Sequence, residues 1–393
     1  MAELRQAEWT QREDLARLVT ALGRENLRWV GGAVRDTLLG QPVKDVDAAT
    51  PLKPDEVIAR LDEARIRSVP TGIAHGTITA TLPGGPVEIT TLREDVSTDG
   101  RRATVAFSGD WREDAARRDF TINALYADPV SLELFDFFDG LSDLEEHRVR
   151  FIGDPRARIR EDHLRILRYY RFQARFGAKL DKEAERACAE LAPTLKGLSR
   201  ERVGWELQHL LAVADPTATV QRMYQQGVLG VVLPEAGDRE VVAFEKLVEA
   251  ERAAGLPPSP IRRLASLLPA EPRIAEQVAA RLRLSTAQKK RLTGAAQRGL
   301  PPGDPQALAY RLGREGAIDR LLLAGEDPRP IVDWPLPELP LKGGEIVARG
   351  IAAGPEVARI LQAVEARWIA EGFPARARVE TLLDAEIARK PSA

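Results

Sequence analysis

The chain has a single cysteine, Cys188, in 393 residues, which excludes an internal disulfide framework and a cysteine-rich zinc site. The plainest reading of Cys188 is a small core or surface residue of a helix. No apolar run approaches the roughly 20 residues needed to span a bilayer. Residues Met1 to Glu13 are polar and charged, unlike a secretory leader. These absences lead to the expectation of a cytoplasmic protein with no membrane partner. Neither sign of charge is in excess: 57 Lys and Arg face 59 Asp and Glu, for a net charge of −2. The whole chain is therefore no polycation, although a local field can still attract nucleic acid. There is no internal repeat and no low-complexity tract, and the oligomeric state is left open.

What is present is enough apolar sequence for real cores, 44% of residues, in a chain long enough for more than one domain. Glu13 to Gly23 has the pattern of an amphipathic helix stopped by glycine. Leu27 to Val30 reads as a strand, Ala33 to Leu39 as a helix, Asp45 to Ala49 as a strand and Pro54 to Ala64 as a helix. Thr77 to Leu82 and Val87 to Leu92 are β-rich runs joined by Pro83-Gly84-Gly85-Pro86, a hairpin signal. Arg93 to Gly109 has few apolar anchors and reads as a turn or mobile loop, and Trp111 to Ala127 as helical. After about Gly140 nearly every pattern has the 3.6-residue period. Gly153-Asp154-Pro155 opens a helical block, Pro193 to Leu198 separates it from the next, and Trp334 to Pro340 is a proline-rich connector. A last helical unit starts at Gly354-Pro355, with proline at its first position.

Three clusters carry chemistry. The first is Gly31-Gly32-x-x-Arg35-Asp36 followed by Asp45-Val46-Asp47. Side chains on a strand alternate with a period of two, so Asp45 and Asp47 point to one side. Two such carboxylates suit Mg²⁺. The Gly-Gly turn exposes backbone N–H groups on which a triphosphate can lie, and Arg35 adds a fork for phosphate. Glu88, in a later strand, is a third carboxylate that supports the metal ligands. Nucleotidyl transfer asks for little more: metals to bridge attacking and leaving oxygens, and fixed cations on the phosphates.

The second cluster is Arg117-Arg118-Asp119-Phe120-Thr121-x-Asn123. One arginine contacts triphosphate while Asp119 and Asn123 orient neighbours, or an arginine pairs with Asp119 as a structural ion pair. Which of Arg117 and Arg118 faces the ligand stays open. The third is Glu161-Asp162-His163-Leu164-Arg165-x-x-Arg168-x-x-Arg171, within a run of arginines from Arg148 to Arg175 that forms a candidate basic face. Spaced by three, Asp162, Arg165 and Arg168 are expected along one helix face. Arginine donates to acceptors on cytosine or adenine, and aspartate accepts from the exocyclic amino group that C and A share. The plain alternative is an ordinary i,i+3 salt bridge.

In this order the three clusters resemble the class II tRNA nucleotidyltransferase and poly(A) polymerase family. Further similarity lies in Thr98-Asp99-Gly100-Arg101-Arg102, like the family's flexible loop, and in Asp139-Gly140, like its head-to-neck hinge. Leu198-Ser199-Arg200-Glu201-Arg202-x-x-x-Glu206 is similar to the last neck motif, and Leu341 to Gly344 with Gly354-Pro355 to a tail segment that contacts tRNA. The resemblance is strong over residues 27–210, weak around 336–373, and one of helical character in between.

It implies an α+β fold: a small nucleotidyltransferase β-sheet head, residues 1–139, then an all-helical neck (140–214), body (215–333) and tail (334–393). It implies template-independent addition of C, C and A to the tRNA 3′ end from CTP and ATP, with two Mg²⁺ ions. By the same resemblance, Asp45 and Asp47 hold metal, with Glu88 beside them. Gly31, Gly32 and Arg35 bind triphosphate, together with Arg117 or Arg118 and their neighbours Asp119 and Asn123. Asp162 and Arg165 template the base, with Arg168 and Arg171 adjacent. A poly(A) polymerase and a relative adding only C or only A are the near rivals. The length of the Arg93–Gly109 loop favours the CCA-adding type. A non-catalytic RNA-binding protein is the rival from another class, and the intact Asp45 and Asp47 argue against it. Some relatives carry a phosphohydrolase domain marked by a His-Asp pair. None of His75, His147, His163 and His209 is followed by Asp, so no such activity is expected. His75 is expected to shape a turn.

Overall fold

Glu13 and Asp14 in the first turn complement the helix dipole of α1 (Glu13–Leu22). Gly23 ends it at φ +89°, a conformation open to glycine. This helix belongs to the first of two units in the computed structural model, Met1–Val232 and Leu233–Ala393. The structure describes residues 3–72, 76–99, 102–299 and 304–389. His75 and the Gly100-Arg101 pair of the expected loop lie outside them.

The first unit is built on a seven-stranded sheet in the order β3-β4-β5-β2-β1-β8-β9. The strands are β1 (Arg28–Val30), β2 (Val46–Thr50), β3 (Ser68–Gly72), β4 (Thr77–Leu82), β5 (Gly85–Thr91), β8 (Leu125–Ala127) and β9 (Leu134–Asp136). Helices α2 (Gly32–Leu38) and α3 (Pro54–Glu63) follow β1 and β2. All neighbours are antiparallel except β2 and β5, whose parallel ladder sets Asp47 opposite Glu88. The expected elements from Glu13 to Leu92 form within a residue or three of the sequence boundaries.

Two expectations fail. The Arg93–Gly109 stretch is not a plain loop but two antiparallel strands, β6 (Arg93–Asp99) and β7 (Arg102–Phe107). Backbone pairing within a hairpin needs no apolar anchor, so the apolar pattern did not reveal it. The Trp111–Ala127 run is not one helix. It breaks into α4 (Trp111–Ala116), a 3₁₀ turn (Thr121–Asn123) and strand β8. Sheet pairing of Leu125 to Ala127 with β1 and β9 overrides the local pattern.

After Asp136 the chain is helical: α5 (Gly140–Glu145), α6 (Pro155–Glu161), α7 (Arg165–Phe176), α8 (Lys182–Leu191) and α9 (Arg200–Leu211). Asp154 caps α6 through the Ala157 N–H, with Pro155 at the first helical position, as Gly153-Asp154-Pro155 suggests. Four rings join the sheet side to α7. Phe120 lies 4.9 Å from Phe151 and 5.3 Å from Phe172, and Phe151 stacks on Tyr169 at 5.8 Å.

The second unit is helical over its described residues. One core gathers around Ile346, Ile360, Val364, Trp368 and Leu383, another around Leu247, Ala317, Leu321 and Ile331. It also buries an ion network, in which Glu251 accepts from Arg262 and Arg263, and Asp319 from Arg262 and Arg291. Cys188, in the first unit, is buried in α8. Among the described residues no helix is long and apolar enough to cross a membrane.

Gly140 starts α5 against the backbone of the 3₁₀ turn, where a Cβ would stand 2.4 Å from the Thr121 carbonyl oxygen. Backbone on that side cannot give way as a side chain can. Gly140→Ala should therefore destabilise the protein by about 1–3 kcal/mol, read as a lowered urea midpoint at unchanged slope. An unaltered midpoint would mean that the contact relaxes freely.

Candidate active site

Gly31 takes φ +69° at the turn between β1 and α2, where any Cβ would be strained, and its N–H donates to the Leu125 carbonyl. The turn places Gly31 and Gly32 beside the end of β2. Asp47 is half-buried on that strand, with exposed Glu88 opposite it in the parallel ladder and exposed Asp45 just before the strand begins. Burial, then the charges of Glu88 and Asp45, push the Asp47 carboxyl up to about 6, against the pull of Arg118 and Arg35. Asp45 and Asp47 line one cleft, as their spacing suggests. Among the described residues no three His, Cys, Asp or Glu side chains converge to cage an ion by themselves. Two or three mutually repelling carboxylates nonetheless fit a hard divalent cation whose remaining ligands come from phosphate oxygens and water.

Two clefts meet at Gly32, Arg35 and Asp47. The first, about 450 Å³, is lined by Gly31, Arg118, Asp119, Asn123, Asp162, Arg165, Arg168 and Arg202 as well. The second, about 650 Å³, adds Asp36, Lys44, Asp45, Arg171, Arg175 and His209. The candidate residues thus come together, except that Arg117 lines neither cleft and Glu88 stands at the sheet face beside Asp47.

Arg35 is buried, and its guanidinium is occupied. It is paired with Asp36 at 2.7 Å, donates to the Asn123 side-chain oxygen, and lies 4.6 Å from the Phe176 ring centre. Its fork is turned to protein carboxylate and amide rather than held open for phosphate. Asn123 in turn donates to Asp119 at 2.9 Å, and Asp119 accepts from Arg168 at 2.5 Å. Burial would raise the Asp119 carboxyl, but the Arg168 charge and hydrogen bonds from Asn123, Arg168 and the Phe120 N–H outweigh it and hold it at about 2.

The alternative of an ion pair between Arg117 or Arg118 and Asp119 is replaced by another. Both arginines grip Asp114, a buried residue that sequence patterning did not single out. Burial opposes ionisation of Asp114, yet the Arg118 and Arg117 charges hold its carboxyl below the usual range. Arg118 also donates to the Tyr126 hydroxyl at 3.1 Å and turns its Nη1 toward Gly31, 3.6 Å from where a Cβ there would stand.

Asp162, Arg165 and Arg168 do not share one helix face, contrary to their spacing. Asp162 is extended at φ −148°, ψ 105° in the break between α6 and α7, and its Oδ1 accepts the Leu164 N–H. That local turn competes with helix. Asp162 pairs with Arg202 at 2.6 Å rather than with Arg165. Arg165 is held by Glu161 and by the Arg158 carbonyl at 2.7 Å. The break still delivers Asp162 and Arg165 to the same cleft.

The arginine run is also no open basic face. Arg148 and Arg150 pair with Asp143, Arg156 with Glu183 and Glu190, Arg158 with Glu161, and Arg171 with buried Glu206. Arg175 reaches Asp36 at 3.0 Å. Asp36 stands in the first cluster, Arg175 at the end of the arginine run, and Arg202 and Glu206 in the Leu198–Glu206 motif, but sequence reasoning gave none of them a role of its own. The structure pairs Arg175 with Asp36 in the larger cleft, brings Arg202 into the smaller and sets Glu206 against Arg171.

Comparison with known proteins gives one family. Residues 27–150 match the Poly A polymerase head domain, and 177–238 the probable RNA and SrmB-binding site of polymerase A. The chain is 35% identical over 384 residues to the mitochondrial CCA tRNA nucleotidyltransferase 1 of Mus musculus and to that of Homo sapiens. Each match covers 92% of this chain and 87% of the relative. It is similar to the crystal structure of the Bacillus stearothermophilus CCA-adding enzyme in complex with CTP, with TM-score 0.76 and 25% identity. That match covers 96% of this chain and 98% of the other. It shares the fold of the Thermotoga maritima CCA-adding enzyme complexed with tRNA, with TM-score 0.68 and 22% identity over 95% of this chain and 94% of the other.

The raised Asp47 carboxyl sets a sign. In the unfolded chain it ionises near 3.8, in the folded protein near 6. Its ionisation therefore penalises folding fully above pH 6, and the penalty disappears as pH falls below about 4. Metal-free Asp47→Asn should be more stable than wild type at pH 8, by about 1–3 kcal/mol, and no more stable at pH 4. Urea midpoints at both pH values test this. Mg²⁺ should raise the wild-type midpoint at pH 8 and leave the variant's nearly unmoved.

Proposed function

The chain belongs to the tRNA nucleotidyltransferase and poly(A) polymerase family, and from that premise we propose that it is a CCA-adding enzyme. It adds C, C and then A to the 3′ end of tRNA from CTP and ATP, without a nucleic acid template, and releases pyrophosphate. The observation that carries the reading is the placement of Asp47 where two polar clefts meet. An in-line displacement at phosphorus needs the attacking oxygen and the leaving group on opposite sides of the reacting atom. Two clefts that share a carboxylate supply two such approaches.

In the smaller cleft, Gly31 and Gly32 form the turn on which the triphosphate lies. Arg118 is the phosphate-facing member of the Arg117–Arg118 pair, because it lines the cleft and turns its Nη1 toward Gly31, while Arg117 lines neither cleft. Arg35, tied to Asp36 and Asn123, holds the turn in place rather than gripping phosphate alone. At the other end, Asp162 accepts from the amino group of C or A and Arg165 donates to the adjacent ring acceptors, with Arg168 and Arg171 holding the helix to its neighbours. U and G lack that amino group at the same position, so a carboxylate there faces a carbonyl and rejects them. Asp45 and Asp47 would hold Mg²⁺, with Glu88 beside them. The chemistry such ions would supply there is neutralisation of triphosphate charge and a lowered pKa for the attacking hydroxyl. The RNA 3′-oxygen then bonds to the α-phosphorus as the bond to pyrophosphate breaks.

We assign residues 1–139 to the catalytic head, 140–214 to the neck, 215–333 to the body and 334–393 to a tRNA-contacting tail.

The test uses purified protein, Mg²⁺ and a tRNA transcript lacking its terminal CCA. Two C residues with CTP alone, and a terminal A only with both nucleotides, are expected when product ends are sequenced. A long A tail would move the assignment to poly(A) polymerase. Addition of only C or only A would make the chain a partial-specificity relative, and no addition would favour an RNA-binding protein.

Two sets of variants sharpen the test. Asp45→Ala and Asp47→Ala should each lower turnover by about a hundredfold or more while RNA binding stays near wild type. Retention of a tenth of the rate would sink the metal assignment. Arg165→Ala should erode the preference for C and A over U by about tenfold, since a bidentate base contact carries about 1–3 kcal/mol of discrimination. Unchanged base choice would remove Arg165 from templating.

A further inference from the structure

At the larger cleft stands a stacked aromatic pair, one member of which lines it, that the reaction as described does not use. Helix α9 carries Trp205 and His209 one turn apart, so both stand on one face. Their rings are stacked, with centroids 3.7 Å apart and planes 28° from parallel, and the His209 Nδ1 lies 2.8 Å from the Trp205 carbonyl oxygen. Trp205 is 49% exposed, an unusual position for the largest apolar side chain, while its neighbour Glu206 is buried. His209 lines the cleft that holds Asp45, Asp47, Arg171 and Arg175. The Arg171 guanidinium lies 5.7 Å from the Trp205 ring centre. A pre-ordered π-face beside the Arg171 guanidinium, its stacked partner His209 lining the cleft of the two carboxylates, is the combination that holds single-stranded nucleic acid: a base stacks on the ring and phosphate meets the cation.

We propose that Trp205, backed by His209, is a stacking platform for a nucleobase of the single-stranded 3′ end of the RNA. The proposal rests on the nucleotidyltransferase reading above and deepens it. It assigns the larger cleft to the RNA strand and the smaller one to the incoming nucleotide. Trp205 is a binding residue here; it touches no reacting atom.

The experiment compares wild type, Trp205→Ala and Trp205→Phe on tRNA lacking CCA. One readout is the Kd for that RNA without nucleotide. The other is the steady-state KM for RNA and for CTP. Trp205→Ala should raise the RNA Kd and the RNA KM about tenfold, as loss of one stacked base does, with the KM for CTP and kcat at saturating RNA near wild type. Trp205→Phe should recover most of the loss. Because Trp205 is half-exposed, neither change opens a buried cavity, and thermal midpoints check that both variants fold. An RNA Kd and KM unmoved in Trp205→Ala would overturn the proposal, as would equal rises in the KM for RNA and CTP. A wild type that binds RNA through Trp205 yet adds no nucleotide would sink the transferase reading alone. A wild type that adds nucleotides with no dependence on Trp205 would sink the stacking platform alone.

Discussion

Arg168 and Arg175 stand two turns apart on α7 and grip the sheet unit at two points, Asp119 and Asp36. Between these grips runs a continuous chain of polar contacts. Asp119 accepts from Asn123, Asn123 accepts from Arg35, and Arg35 pairs with Asp36. The relay starts and ends on the same helix and passes through the glycine turn beside Asp47. Every group in it is charged or amide, and Arg35, Asp36 and Asn123 at its centre are buried, so loss of a partner there leaves another uncompensated, at a cost of about 3–5 kcal/mol. The relay ties α2, which follows the glycine turn, and the Asp119–Asn123 segment to α7. The ring contacts of Phe120, Phe151, Tyr169 and Phe172 exclude water beneath it.

The same region holds its carboxylates in opposite states. Asp114 and Asp119 are buried but ringed by arginines and stay ionised to low pH. Asp47 is less enclosed, yet burial, joined by the charges of Glu88 and Asp45, raises its pKa. Carboxylates with cationic partners serve as fixed struts. A carboxylate opposite a like charge is poised to accept an external cation, because binding relieves repulsion already present in the fold. This difference separates the cation-paired acids of the cleft from Asp47 more clearly than their sequence positions do.

Much of the first unit was legible from the chain. The glycine that stops α1, the proline-glycine hairpin between β4 and β5, and the aspartate-proline start of α6 each carry a local stereochemical signal, and each element forms there. Local signals failed where the partner was distant. Leu125 to Ala127 looks helical until β1 and β9 pair with it. The pairing of β6 with β7 left no apolar trace. Spacing by three suggested a continuous helix through Asp162, but that residue's own carboxylate turns the backbone between α6 and α7.

The sequence by itself determined which residues have the chemistry. The paired aspartates, the glycine turn and the arginine-rich motifs are local patterns, readable because strand and helix periods are fixed by backbone geometry. Only the tertiary structure decided how they are used. It turned Arg118 rather than Arg117 to the cleft, occupied Arg35 with Asp36, drew Arg175 from the end of the arginine run onto Asp36, and set Glu88 opposite Asp47. These are contacts between residues far apart in the chain. Their energies depend on burial and on which opposite charge the fold brings nearest, and neither is encoded in spacing along one segment.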